Sequence, residues 1–75
     1  MYVVLGDVMD NDVPQGTIFA ISSNGIRARK YYEKYKGQMN VTKLIRFNKE
    51  ESNKNTFNSN YVIVEKHVRT KLKEL

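Results

Sequence analysis

The chain has no cysteine and no tryptophan, one proline and one histidine among 75 residues. Without cysteine there is no disulfide scaffold, thiolate zinc site, iron–sulfur cluster or cysteine nucleophile. No apolar run approaches the 18 or more residues of a membrane span. The opening MYVVLGD lacks a basic segment and its apolar run ends at Gly6-Asp7, short of a signal-peptide core, so the expected location is the cytoplasm. The four glycines are scattered at 6, 16, 25 and 37, and none belongs to a phosphate-binding loop.

What remains is enough to fold. Forty per cent of the residues are apolar and 28% are charged, a globular balance, and the length suits a single domain spanning residues 1–75. A domain this small has a thin core, with a net stability of roughly 3–5 kcal/mol. Association with a partner or a second copy would reinforce it.

Tyr2-Val3-Val4-Leu5 is β-branched and aromatic and predicts a first strand over 2–8, weakened or bulged at Gly6-Asp7. Residues 9–16, MDNDVPQG, have turn composition and read as a hairpin loop. Thr17 to Ile21 is apolar on both faces apart from Thr17, which predicts a central strand under a helix. Ser22, Ser23 and Asn24 are three candidate caps for a helix over 24–36. Its Ala28, Tyr31, Tyr32 and Tyr35 form one apolar stripe, and Gly37 closes it as a left-handed residue. Val41 to Phe47 reads as a third strand, with Val41, Ile45 and Phe47 on one face and Thr42, Leu44 and Arg46 on the other, one face being buried. Residues 48–60 hold five of the eight asparagines and one apolar residue, Phe57, and are expected to be a mobile loop. The last segment fits two periods. A strand at 61–65 followed by a short basic helix is the preferred reading, and one continuous helix from about residue 60 is the alternative. The fold class is therefore α+β: a small antiparallel sheet with one face covered by a helix, ββαβ followed by a strand and short C-terminal helix.

Charge is polarised along the chain. Residues 1–25 carry three aspartates and no base, whereas 26–36 are net +4 and 37–75 are net +4 again. An acidic hairpin loop (Asp7, Asp10, Asp12) and a basic helix exterior would present surfaces of opposite sign.

No constellation supports catalysis. His67 is the single imidazole, and no nucleophile elbow surrounds Ser22, Ser23, Ser52 or Ser59. Asp7, Asp10 and Asp12 lack the glycine and distal glutamate of a calcium loop and read as a solvated turn. Glu50-Glu51 lies in the Asn-rich stretch, unsuited to holding an acid and a base at fixed distance. Neither metal nor cofactor is expected, and the chain is read as a non-enzyme.

The candidates are instead residues for binding. Arg27, Lys30 and Lys34 recur at i, i+3 and i+7 on the helix exterior, with Ile26 beside them; Phe57 is stranded in a polar stretch. Ile26 and Phe57 could anchor a protein partner, or fold inward and pin the loop, respectively. The basic stripe, joined by Lys36, Lys66, Arg69, Lys71 and Lys73, could instead track nucleic-acid phosphates or serve as a solvated helix face.

In its size, its start on a strand (MYVVLGD), the passage TIFAISSNGIRARKYYEKYKG and its Lys and Asn bias, the chain resembles small proteins of low-GC Gram-positive bacteriophages over about residues 1–47. That resemblance implies a product made in an infected bacterial cell that binds a host protein and modulates it. The leading expectation is thus a protein-binding module, with nucleic-acid binding as the alternative and a homo-oligomeric component as a third possibility.

Overall fold

A computed structural model describes residues 1–48 and 61–69. It contains strands β1 (Tyr2–Asp7) and β2 (Thr17–Ser22), helix α1 (Gly25–Tyr35), and strands β3 (Val41–Phe47) and β4 (Tyr61–Val68). The strands form one antiparallel sheet in the order β2-β1-β3-β4, with α1 packed on one face, the α+β architecture expected. Because β2 and β3 both run antiparallel to β1, they are parallel to each other, and such a pair requires a crossover. Helix α1 supplies it and passes over β1.

Local signals account for the helix. Asn24 is the operative cap, its Oδ1 accepting from the Arg27 amide at 3.0 Å. At the other end the Lys36 amide donates to the Tyr32 carbonyl at 2.8 Å, and Gly37 takes φ +92°. Ala28 and Tyr32 are buried against Val4 and Leu44, with Tyr2, Phe19, Ala20 and Tyr31 packed around them. The Phe19 ring stacks on Tyr35 with centroids 4.9 Å apart. Phe19 is the extra residue of a bulge in β2, since Val4 pairs with Ala20 and Leu5 with Ile18. Gly6 permits this arrangement, because a Cβ there would lie 2.5 Å from the Phe19 ring.

The opposite face has its own apolar cluster of Val3, Leu5 and Ile45, joined by Phe47, Tyr61 and Ile63. Residues 41–45 of β3 are therefore buried on both faces, where one buried face was expected. The hairpin loop is held against the β3–β4 part of this second face by Lys43, Tyr61 and Lys66. Within β3 the Thr42 hydroxyl is buried without a hydrogen-bond partner among the described residues.

Two further expectations are corrected. Strand β2 lies at the sheet edge, because the crossover places β1 between it and β3. Its Ile18 and Ile21 point away from α1 and are 57% and 55% exposed. Strand β4 continues through Lys66, His67 and Val68, where the short helix was expected to begin, because these residues pair with Lys43, Thr42 and Val41. That pairing also removes the continuous-helix alternative. Residues 70–75, and the Asn-rich stretch 49–60 with Phe57, lie outside the described residues.

Candidate functional site

The outer side of α1 presents the basic stripe as predicted. Arg27, Lys30 and Lys34 are all exposed, and among the described residues none of the three forms an ion pair. Lys34 Nζ lies 5.4 Å from the Tyr35 ring centroid, which tethers its stem while leaving the ammonium in water. Ile26, beside the stripe, does not fold inward; it is 75% exposed.

Ile26 stands at the mouth of a groove. Helix α1 packs on β1, β2 and β3 but leaves β4 uncovered, so a channel of about 890 Å³ runs between the first two turns of the helix and the β3–β4 side of the sheet. Leu44 and Val64 contribute apolar lining, Tyr2 closes the end near the helix start, and Lys30 and Arg46 bring positive charge beside Glu33, whose carboxylate is paired with Lys36 at 2.9 Å. Tyr2 lies so close to that start that a Cβ on Gly25 would be 3.0 Å from its hydroxyl. Arg29 also lines the groove, but its Nη1 donates to Glu65 Oε2 at 2.6 Å, linking helix to β4. This hydrogen bond and the attraction to Glu65 hold the Arg29 guanidinium above its ordinary value.

Val64 and Arg46, which line the groove, were not singled out as site residues from the sequence. Their signal was present in the alternation. Val62 and Val64 are apolar on an edge strand whose other face already carries Tyr61 and Ile63, and Arg46 shares the helix-side face with Thr42 and Leu44. Only the position of α1 leaves that apolar edge uncovered.

The acidic loop stays exposed at Asp10 and Asp12, while Asp7 turns inward. Asp7 is buried, its Oδ1 accepting from the Val8 amide at 2.7 Å and the Met9 amide at 3.3 Å, and its Oδ2 from Gln15 at 3.3 Å. Asp10 and Asp12 reach across the sheet to Lys66, with Nζ–Oδ1 distances of 2.6 and 3.4 Å. Lys66, one of the bases considered for phosphate contacts, is thereby committed to the chain's own carboxylates. Among the described residues no group of three or more His, Cys, Asp or Glu side chains is placed to hold a metal ion.

These contacts make stability depend on pH at both ends. Burial opposes ionisation of Asp7, but hydrogen bonds from Met9, Val8 and Gln15 and the charge of Lys43 outweigh it, holding the carboxyl below its ordinary 3.8. Its stabilisation is complete above the unfolded value and is lost as pH falls through the lower folded one. The hydrogen bond to Asp10 raises the Lys66 ammonium above 10.5, desolvation opposing and Asp12 adding to it. Burial raises the Tyr32 phenol above 10.0. Both contributions are complete below the unfolded values and are lost as pH rises through the folded ones. Denaturant midpoints measured against pH should fall below about pH 4 and above about pH 10. Asp7→Asn should flatten the acid limb alone and Lys66→Met should weaken the alkaline limb alone; an unchanged profile in both variants would refute this assignment.

No protein family, curated protein or solved structure matches the chain. The groove and its charges therefore carry the functional reading. Ser22, considered above as a nucleophile, uses its hydroxyl at the helix start, donating to the Asn24 carbonyl at 3.2 Å and accepting from the Asn24 amide at 3.0 Å. His67 sits on β4 opposite Thr42. Among the described residues no helix is long and apolar enough to cross a membrane.

Proposed function

We propose that the protein is a non-enzymatic binding module whose groove between α1 and β4 takes an apolar side chain from an acidic segment of a protein partner. The observation behind this reading is Ile26, 75% exposed at the mouth of a groove lined by Leu44 and Val64 and flanked by Lys30 and Arg46. A large apolar side chain beside an apolar channel favours burial against a partner, and the flanking cations favour carboxylates on that partner. If the chain is a phage product, as its resemblance implies, the partner is a host protein whose activity it modulates.

The test is affinity purification from nuclease-treated bacterial lysate with the unaltered protein and with Ile26→Asp. A stoichiometric protein should be retained by the first, and Ile26→Asp should weaken its binding at least about 30-fold, the scale of a central interface residue. Equal retention by both, or no stoichiometric protein, would overturn the reading.

Nucleic-acid binding is the second reading, favoured by the exposed stripe Arg27, Lys30 and Lys34, which forms no ion pair among the described residues. Three phosphate contacts would lower duplex affinity about 40-fold between 50 and 200 mM salt. Fluorescence anisotropy with a labelled duplex decides it, and no binding at either salt concentration removes it. The three helix tyrosines are engaged in packing, which leaves that reading without stacking side chains on α1.

A further inference from the structure

We infer that two copies of the chain associate through antiparallel pairing of their β2 strands, joining the two sheets across a two-fold axis. The sheet has two edges of different character. Strand β4 carries Glu65, Lys66 and His67, is followed by Arg69, and is bulged where Leu44 pairs with Glu65 and Ile45 with Ile63. Both edge strands are bulged, β2 at Phe19, so charge is what distinguishes them, and charge on an edge is a device that keeps it from pairing with another chain. Strand β2, Thr17–Ser22, has no charged residue. It is therefore the edge whose own residues would place no like charges opposite each other in a pair of strands.

The side chains of β2 favour the same occupant. Ile18 and Ile21 project from the face away from α1 and are 57% and 55% exposed. Pairing across a two-fold would bring these isoleucines beside their counterparts, extending the apolar surface that already contains Val3 and Leu5. The inward bulge at Phe19 directs that ring to Tyr35 and leaves the two isoleucines on the outer face.

The helices leave room for this arrangement. Helix α1 packs on β2, β1 and β3 and so passes over β1. In the joined sheet the two β1 strands are three strand spacings apart, about 14 Å. Helices about 10 Å in diameter fit side by side at that separation. Two six-residue edges bury on the order of 1,000 Å² in total, the lower end for specific interfaces, so association of micromolar strength is expected. This surface is distinct from the α1–β4 groove, and occupation of one leaves the other open.

The test is sedimentation equilibrium of the full chain from 1 µM to about 500 µM, together with amide hydrogen exchange at both ends of that range. A concentration-dependent dimer is expected, with exchange slowed at high concentration in Thr17–Ser22. Ile21→Lys, and Ile18→Lys as a second variant, should each weaken it at least about 100-fold, whereas Val68→Lys on the other edge should leave it unchanged. A monomer throughout would overturn the proposal, as would a dimer whose new protection falls in Tyr61–Val68 or one that survives both β2 substitutions. Circular dichroism confirms that each variant is folded before it is compared.

Discussion

Lys43→Met is expected to remove most of the protein's net stability. Lys43 is 0% exposed in the middle of β3, paired with Leu5 on one side and Lys66 on the other. Its ammonium has three N–H donors and three acceptors: the Asn11 carbonyl at 3.1 Å, Asn11 Oδ1 at 3.2 Å and the Val13 carbonyl at 2.7 Å. The side chain thus ties the loop between β1 and β2 to the sheet face opposite α1. The Lys66 pairs and the Tyr61 hydroxyl, which donates to the Asp12 carbonyl at 3.0 Å, hold the same loop from β4. Methionine fills nearly the same volume but donates nothing, so the loss is one of hydrogen bonding rather than of packing. Hydrogen bonds from a charged donor contribute about 1.5–3 kcal/mol each, and part of the loss is recovered when the loop opens to water. The expected cost is about 3 kcal/mol, comparable with the roughly 3–5 kcal/mol available to a domain of this size. Urea titration measures it, and hydrogen exchange across residues 8–16 should accelerate together with it. A loss below about 1 kcal/mol with loop exchange unchanged would show that Lys43 does not hold the loop.

Gly16→Ala carries the second large effect, at the end of the same loop. Gly16 has φ +109°, a conformation that L side chains rarely adopt, and a Cβ there would lie 2.2 Å from the Gly6 carbonyl oxygen. That obstacle is backbone at the β1–β2 pairing, where Gly6 faces Thr17, so a flexible side chain cannot move aside to relieve it. Gly37 provides the matched comparison: φ is +92°, but nothing lies within 4 Å of an added Cβ. Gly37→Ala should cost about 1 kcal/mol from backbone strain alone, and Gly16→Ala about 3 kcal/mol or more because a steric clash adds to that strain. Thermal or urea unfolding of the two variants side by side checks the difference. Equal losses would mean that the hairpin relaxes around the methyl group.

The sequence was most legible where the determinants were local. Val41–Phe47 is a strand with the predicted bounds, and the Tyr31, Tyr32 and Tyr35 stripe faces the sheet as its 3.6-residue period requires. Asn24 among the offered caps, Gly37 as a left-handed residue, and the exposure of Arg27, Lys30 and Lys34 likewise follow from helix geometry, whereas the exposure of Ile26 was one of two alternatives left open. Strand β2 shows where that reading ends. An apolar strand facing both ways fits a sheet centre and an association-prone edge equally well, and periodicity along one chain cannot distinguish them. The groove was hidden for a related reason: Val64 and Arg46 acquire meaning from the side of the sheet that α1 does not cover.

By itself the sequence determined the class of fold, the helix with its caps, the basic outer stripe and the lack of thiol or disulfide chemistry. These follow from residue type and short-range spacing. Tertiary structure alone decided which strands lie at the edges, because strand order depends on how the α1 crossover places β2 and β3 around β1. It also decided the fate of the charges. The turn-like composition of residues 9–16 suggested a solvated acidic loop, and Asp10 and Asp12 are exposed, but Lys43 and Lys66, separated from it by about 30 residues or more, also anchor the loop to the sheet. A lysine in the middle of a strand reads as a surface residue until a neighbouring loop supplies its acceptors, and that pairing exists only once the chain has folded.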